Sequence, residues 1–530
     1  MSASRFIGID VGSASVRAGL FTAEGKRLCF ATRPIEQFHS QGDWVEQSSA
    51  QIWQGVCETV REVLQQSATD PNQVKGMGFD ATCSLVAIDH QGQGVTLAEN
   101  GDAQRNIMMW MDHRAKAETR TINATHHETL NYVGGEMSVE MELPKILWLK
   151  NHYPERYQRT WRFFDLADYL VWQATGADVA SVCTLTCKWG YLAHERQFRS
   201  DFLQAIGLDD LPQKIPTRVC DLGEAVGTLS EDAARQLGLT TATVVASGII
   251  DAHAGGLALT ATTPQGSLAV ISGTSNCHML VNREPLPVQG VWGPYYNAML
   301  PGWWLTEGGQ SAAGALVEWS VRQHAYWPEL QKKAEAAGQS VWQVLNLWLA
   351  ELEQQEHWPT RHLHMLGDHH GNRSPRANPD ARGALLGLTL ETGQFGLARL
   401  YLASLQAVAY GTRHIIEALQ QAGHNVERLV FCGGATKNPV WLREYANITG
   451  YDVHRVTEED AVTLGAALMA AVASGEYADF PAAAAVMVSQ GETVSHDPAT
   501  AAFHQAKYEI YLQMYQEGAE ARAKMAVFTD

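Results

Sequence analysis

Residues 6 to 21 read Phe6-Ile7-Gly8-Ile9-Asp10-Val11-Gly12-Ser13-Ala14-Ser15-Val16-Arg17-Ala18-Gly19-Leu20-Phe21. Residues 268 to 281 repeat the design as Leu268-Ala269-Val270-Ile271-Ser272-Gly273-Thr274-Ser275-Asn276-Cys277-His278-Met279-Leu280-Val281. In each stretch an apolar run enters a turn of Gly with Ser or Thr, and a second apolar run leaves it. Glycine lets the backbone approach an anion with no side chain in the way. Successive amides in such a turn, with hydroxyls beside them, form a concave donor surface for phosphate oxygens. One such turn is an ordinary hairpin. Two copies, in different halves of one chain, point to a duplicated nucleotide-binding fold with its cleft between the halves.

The surrounding sequence alternates strands with helices, which predicts an α/β protein. Ile52, Val56, Val60 and Val63 recur at helical spacing within Gln51 to Gln66. Gln73 to Asp80 and Leu85 to Asp89 read as strands around a polar turn, and Leu143 to Asn151 and Phe164 to Thr175 as helices. Thr243 to Ile250 reads as a buried strand ending at Asp251. The small, turn-rich segment Thr260 to Gly266 marks the boundary between two domains, 1–258 and 259–530. Phe395 to Gln421 is a long amphipathic helix. Leu429 to Cys432 is a short strand running into Gly433-Gly434, with a helix after Asn438. Trp327 to His370, rich in His and Trp, is expected to hold peripheral helices.

With 530 residues, 45% hydrophobic and 18% charged, the chain reads as globular with more than one domain. A net charge of −18 argues against nucleic acid or an anionic membrane as the main partner. Phosphate must then be held locally, by backbone amides and a metal ion. No apolar run reaches the roughly 18 residues of a spanning helix. The first strand begins at Phe6 with no signal-like segment before it, so a cytoplasmic protein is expected. The eight cysteines are scattered. Cys183 and Cys187, the closest pair, lack the spacing of a common zinc knuckle. Reduced, buried thiols are expected.

Several polar positions stand out. Asp10, at the end of the first strand, can hold a metal-bound water facing phosphates or simply cap the turn. Asp251, in Gly248-Ile249-Ile250-Asp251-Ala252-His253-Ala254-Gly255-Gly256, can accept a proton from an attacking hydroxyl. It can equally cap the helix that follows. His253, two residues on, fits a structural or supporting role better than a catalytic one. Paired glycines at 433 and 434 let a flat ring or ribose lie on the backbone, or form a plain turn. The stretches Phe79 to Ser84 and Trp110 to Arg114 are polar clusters after strands. They satisfy either one another or a polyhydroxylated ligand, since buried polar groups left unpaired are costly. His362, His364, Asp368, His369 and His370 offer no metal-ligand spacing.

Taken in order, these motifs resemble the FGGY family of carbohydrate kinases, from about Phe6 to about Ala473. The resemblance implies the two-domain actin-like (ribonuclease H-like) ATPase fold, with ATP and sugar in the interdomain cleft. It implies ATP contacts at Gly12, Ser13, Ser15, Arg17, Gly273, Thr274, Gly314, Gly433, Gly434 and Asn438. It implies sugar contacts at Asp80, Ala81, Thr82, Asp112, His113, Glu140 and Asp251, with Asp251 the catalytic base. Mg²⁺ is expected near Asp10 and Asp251. Ala14 departs from the family pattern, which has a hydroxyl there, so Ser13 and Ser15 must share its work.

Within the family the ribulokinase-like branch fits best. Phe79 to Ser84, Trp110 to His113, Asp251 to Ala254, Gly273 to His278 and Gly371 to Pro375 all look like that branch. Glycerol kinases carry Arg-Glu where this chain has Ala81-Thr82, and Gln where it has Ala252. Xylulokinases carry a Met-His-Gly turn that is absent here. The Phe-Asp-Ala-Thr version at 79–82 is similar to D-ribulokinases. The implied reaction is ATP-dependent phosphorylation of a ketopentose, D-ribulose to D-ribulose 5-phosphate. Kinases for L-ribulose, xylulose or a pentitol are the alternatives within the family. An actin-like ATPase of the assembly or chaperone kind, and a non-catalytic sugar sensor, are the alternatives outside it. The oligomeric state is left open, a homodimer included.

Overall fold

The computed structural model describes residues 4–528. Arg5–Val11 and Ser15–Thr22 form the expected antiparallel hairpin, with Asp10 opposite Arg17. Arg27–Pro34 extends it on one side. On the other side Arg5–Val11 runs parallel to Val74–Ala81, with Asp10 level with Asp80. Val244–Ala246 and Ile249–Ile250 both pair in parallel with Val74–Ala81, and Ala225–Thr228 closes the far edge. The strands Arg5–Val11 and Val74–Ala81 are buried on both faces for most of their length, Lys75 being exposed near the start of the second.

The second half repeats the plan. Ser267–Ser272 is antiparallel to Asn276–Asn282 and parallel to Arg428–Gly433. The sheet runs Trp292–Tyr296, Trp304–Gln310, Asn276–Asn282, Ser267–Ser272, Arg428–Gly433, Val453–Val456, Gln490–Val494. A smaller five-stranded sheet, from Phe38–His39 to Arg162–Asp165, is added to the first half.

The helix Ser49–Ser67 forms where its spacing predicts, with Ile52, Val56, Val60 and Val63 on the buried face and Ser48 capping it. The long helix is Gln394–Gln421. Trp327–Ala337 and Val341–Gln355 stack outward from it, the peripheral helices expected there. Two readings need correction. Phe164 and Asp165 belong to the strand Arg162–Asp165, paired with Leu85–Ile88, and the helix starts at Leu166. Strand and helix are hard to separate in a short apolar run. The strand expected over 243–250 is broken at Ser247-Gly248. There the chain passes so close to the helix Leu166–Thr175 that a Cβ on Gly248 would lie 3.0 Å from that of Ala167.

The two halves interlock through two helices. Ala461–Ala473, from the second half, lies directly on the first sheet. A Cβ added at Gly8 would lie 1.9 Å from the Thr463 carbonyl oxygen, and one at Gly78 would lie 2.1 Å from that of Ala466. The helix Asp251–Thr260, which leads into the second half, crosses it at Gly465. A Cβ there would lie 2.0 Å from the Ala254 carbonyl oxygen. Leu464, Ala467 and Leu468 join Phe6, Ala254 and Ala269 in one apolar cluster spanning both halves.

Gly465→Ala is therefore expected to destabilise the chain by about 1–3 kcal/mol, as overpacking does, although alanine favours a helix. Gly227→Ala, where nothing lies within 4 Å, should change stability by under about 0.5 kcal/mol. Thermal unfolding of the two variants checks this. A Gly465→Ala protein melting above wild type would contradict the close crossing.

Candidate active site

Register alone assembles the site's core. Ile250 is level with Ala81, and Ala81 with Val11. The next residues along, Asp251, Thr82 and Gly12, therefore leave the same carboxyl edge of one sheet side by side. In the other half Ser272 is level with Gly433, so Gly273 and Gly434 emerge together. Ligands of open α/β sheets bind at such edges. Asp251 is the first residue of its helix, not the end of a long strand, and Ile250 occupies the cap position. Its Oδ1 accepts the Ala252 N–H at 2.6 Å, and the residue is half-buried.

Carboxylates crowd this edge. Asp10 and Asp80 have no exposed surface. Asp10 is ion-paired with Arg17, whose Nη1 also lies 2.7 Å from Asp460 Oδ2. Asp460 in turn caps the crossing helix through the Thr463 N–H. Burial raises Asp10 from its ordinary value near 3.8 to about 7, with Arg17 opposing the rise. Burial, then the charge of Asp10, pushes Asp80 well above the carboxylate range. Burial also raises Asp251, against the pull of the Ala252 N–H. Asp10 Oδ1 and both Asp80 oxygens are buried without a hydrogen-bond partner. Hard oxygen donors in this state fit Mg²⁺. Arg17, expected to hold phosphate, divides its guanidinium between the carboxylates of Asp10 and Asp460.

Both hairpin turns present backbone to the edge. The Gly12 N–H donates to Ser15 O at 3.0 Å and the Gly273 N–H to Ser275 O at 2.9 Å, closing the two turns in similar ways. Gly273 and Thr274 are exposed and Ser13 and Ser15 half-buried. Ser13 Oγ accepts the Trp110 Nε1–H at 2.9 Å, which ties the first turn to the neighbouring polar cluster. Gly314 opens a helix with no side-chain cap, packed on the second turn. A Cβ there would lie 2.7 Å from the Gly273 carbonyl oxygen. Its Gly314 and Ala315 amides donate to the Gly273 and Thr274 carbonyl oxygens at 3.1 and 3.2 Å, which fixes the helix start on that turn, and the positive end of its dipole favours an anion there. Gly433 has φ +88° and could carry no side chain beside Ser272, while Gly434 is clear. Asn438 caps the next helix, and its Nδ2–H donates to the Tyr401 hydroxyl at 2.7 Å.

On the opposite side, His113 and Glu140 face each other at 3.9 Å. Arg373, from the second half, reaches Glu140 at 3.2 Å and lies over the Trp292 ring. The Arg373–Glu140 pair, like Arg17–Asp460 and His253–Glu307, joins the two halves. The motif Gly371 to Pro375 carried the only sequence signal for it. Thr82 Oγ1 pairs with Ser84 Oγ at 3.2 Å. Two of the expected sugar contacts lie deep in the fold. Asp112 is fully buried, and its carboxylate is taken up by the Val45 N–H and the Arg114 guanidinium. Ala81 lies inside the sheet with no exposed surface and shapes only the floor beneath Thr82.

The His-rich segment makes no ligand set. Asp368 accepts from Asn372, and His369 packs on Trp319. All eight cysteines are free, but only Cys183, Cys187, Cys220 and Cys432 are fully buried. His253 is buried between Cys183 and Glu307, in keeping with a supporting role.

Two hairpin-bearing halves around a carboxylate-lined edge define a two-domain actin-like ATPase. Residues 5–258 match the N-terminal domain, and residues 268–474 the C-terminal domain, of the FGGY family of carbohydrate kinases. The chain belongs to this family, in its ribulokinase-like branch, and is a sugar kinase that transfers phosphate from ATP to an alcohol. It is 43% identical over 540 residues to an FGGY carbohydrate kinase domain-containing protein of Homo sapiens, covering 98% of each chain. It is 37% identical over 518 residues to a D-ribulokinase of Saccharomyces cerevisiae, covering 89% of this chain and 72% of that one. A xylulose kinase from Rhodospirillum rubrum superposes with a TM-score of 0.81 at 22% identity, over 97% of this chain and 98% of that one. A gluconate kinase from Lactobacillus acidophilus does so at 0.83 and 19%, over 99% and 100%. Among the described residues no helix is long and apolar enough to cross a membrane.

In the ligand-free chain Asp10 keeps its proton to about pH 7, against about 3.8 when exposed. The folded state then binds more protons than the unfolded one within that window, so its stability falls as pH rises through it. Asp10→Asn should remove up to about 4 kcal/mol of this dependence. The variant should melt above wild type at pH 8 without Mg²⁺. A lower melting point there, with an unchanged pH slope, would refute the buried-charge account.

Proposed function

We propose that this kinase phosphorylates the terminal hydroxyl of D-ribulose, giving D-ribulose 5-phosphate. The observation that carries the chemistry is the placement of Asp251, partly exposed and raised in basicity, beside the first hairpin turn. In this reading residues 1–258 hold the sugar and residues 259–530 the nucleotide. Asp251 orients the acceptor hydroxyl and takes its proton as the oxygen attacks the terminal phosphorus of ATP, and ADP leaves. Amides and hydroxyls at Gly12, Ser13, Ser15, Gly273 and Thr274 hold the phosphate oxygens. Gly433 and Gly434 leave room for the adenosine. Asp10 and Asp251 would hold Mg²⁺, which when bound would supply charge neutralisation at the phosphates. Positioning and charge neutralisation supply most of the rate in phosphoryl transfer. Closing the cleft excludes water, which would otherwise compete with the sugar.

The choice of sugar rests on the 79–84 motif and on the similarity to a protein named as a D-ribulokinase. His113, Glu140, Thr82 and Arg373 are the polar groups available to its hydroxyls. A coupled assay for ADP over D-ribulose, L-ribulose, D-xylulose and pentitols tests the choice. D-ribulose should lead in kcat/KM by at least about tenfold, or about 1.4 kcal/mol in transition-state binding. A pentitol or another pentulose leading the series would replace it. Asp251→Asn should lower kcat by about 10²–10⁴-fold while ATP still binds. Near-normal turnover in that variant would remove Asp251 from its role.

A further inference from the structure

Behind Asp251 lies a second constellation that phosphate transfer does not use. Cys183 and Cys187 stand one turn apart on the helix Val182–Lys188, and so share a face. His253 projects toward them from the start of the helix Asp251–Thr260. Cys183 Sγ lies 3.2 Å, and Cys187 Sγ 3.9 Å, from His253 Nδ1. The three donor atoms all lie within 4.8 Å of one another, and none of the three residues has exposed surface. It is the one group of this kind among the described residues. From the other half of the chain, Glu307 Oε2 meets His253 Nε2 at 3.1 Å.

We propose that Cys183, Cys187 and His253 form a buried zinc site, with Glu307 as the carboxylate that orients the histidine. Tetrahedral zinc, with Zn–S of about 2.3 Å and Zn–N of about 2.0–2.1 Å, sets sulfur and nitrogen ligands about 3.6 Å apart. The observed 3.2 and 3.9 Å bracket that spacing. The two sulfur-to-nitrogen distances therefore need to change by only a few tenths of an ångström. Glu307 accepts the Nε2 proton, which leaves the Nδ1 lone pair directed at the thiols. A carboxylate on the outer nitrogen is the usual partner of a metal-bound histidine. Two soft sulfurs and an imidazole favour zinc over Mg²⁺ or Ca²⁺. Burial removes the alternative of an accessible nucleophile. The i, i+4 spacing that fails as a zinc knuckle in sequence succeeds on a helix, because the third ligand comes from seventy residues away.

The site has a mechanical consequence. It ties the helix Val182–Lys188 to the first turn of the helix that carries Asp251, and through Glu307 to the strand Trp304–Gln310 of the other half. The ion would act as a positioning element for the base, whichever sugar is bound.

Metal analysis of the full chain tests this. Chain purified from zinc-supplemented culture and dialysed should retain one zinc per chain. Chelated protein reconstituted with Co²⁺ should show the charge-transfer absorption of thiolate ligation. Cys187→Ser should lose both the stoichiometric zinc and that absorption. Glu307→Gln keeps all three ligands and should weaken zinc by about 10–100-fold, read by competition with a chromophoric chelator. It remains informative where Cys187→Ser fails to fold. Folded wild-type chain that holds well under one equivalent of zinc after reconstitution, without the cobalt bands, overturns the proposal. So does a metal-free folded chain with a Cys183–Cys187 disulfide, or a Glu307→Gln chain that binds zinc as tightly as wild type.

Discussion

Backbone-to-backbone contact at the crossing of Asp251–Thr260 with Ala461–Ala473 sets the rest of the structure. Gly465 lets one helix rest on the carbonyl of Ala254, and Gly8 and Gly78 let the first sheet rest on Thr463 and Ala466. No side chain spaces these layers, so the two halves are fixed closely against each other. Asp251 begins one of the crossing helices and Asp460 caps the other. The carboxylate edge is thus built on the crossing itself. Close-packed interiors transmit small displacements, so a shift at the crossing would move Asp251.

The electrostatics follow from that packing. The interlock brings Asp10, Asp80, Asp251 and Asp460 around one arginine and shuts water away from two of them. Repulsion and desolvation together exceed what Arg17 offsets, so Asp10 and Asp80 are driven toward their protonated forms. An edge of this kind concentrates negative charge that positive groups must offset. The cost in the ligand-free chain is of the kind functional sites carry in exchange for preorganised charge.

Much of this was legible in the sequence. The hairpins, the parallel strands beside them and the long helix Gln394–Gln421 formed where pattern placed them, because apolar periodicity and glycine turns act locally. The motif order pointed to the family, and Asp251 reached the expected edge. What the sequence left open shares a cause. Asp112 and Arg17 are charged residues in promising motifs whose partners, Arg114 and Asp460, decide whether they are free. A carboxylate already saturated by a guanidinium looks, in sequence, like one awaiting a sugar. Arg373 was legible only as a motif, since its partner Glu140 lies far away in the chain and in the other half.

By itself the sequence determined the repeated hairpin, the elements around it and the residue types on the carboxylate edge. These depend on contacts between neighbours in the chain, on period and on turn chemistry. The tertiary structure alone decided which carboxylates are shut from water, which arginine neutralises them, and that Cys183 and Cys187 meet His253. Such facts depend on distance through space and on the exclusion of solvent. Both arise only when the two halves close on the helices that cross between them.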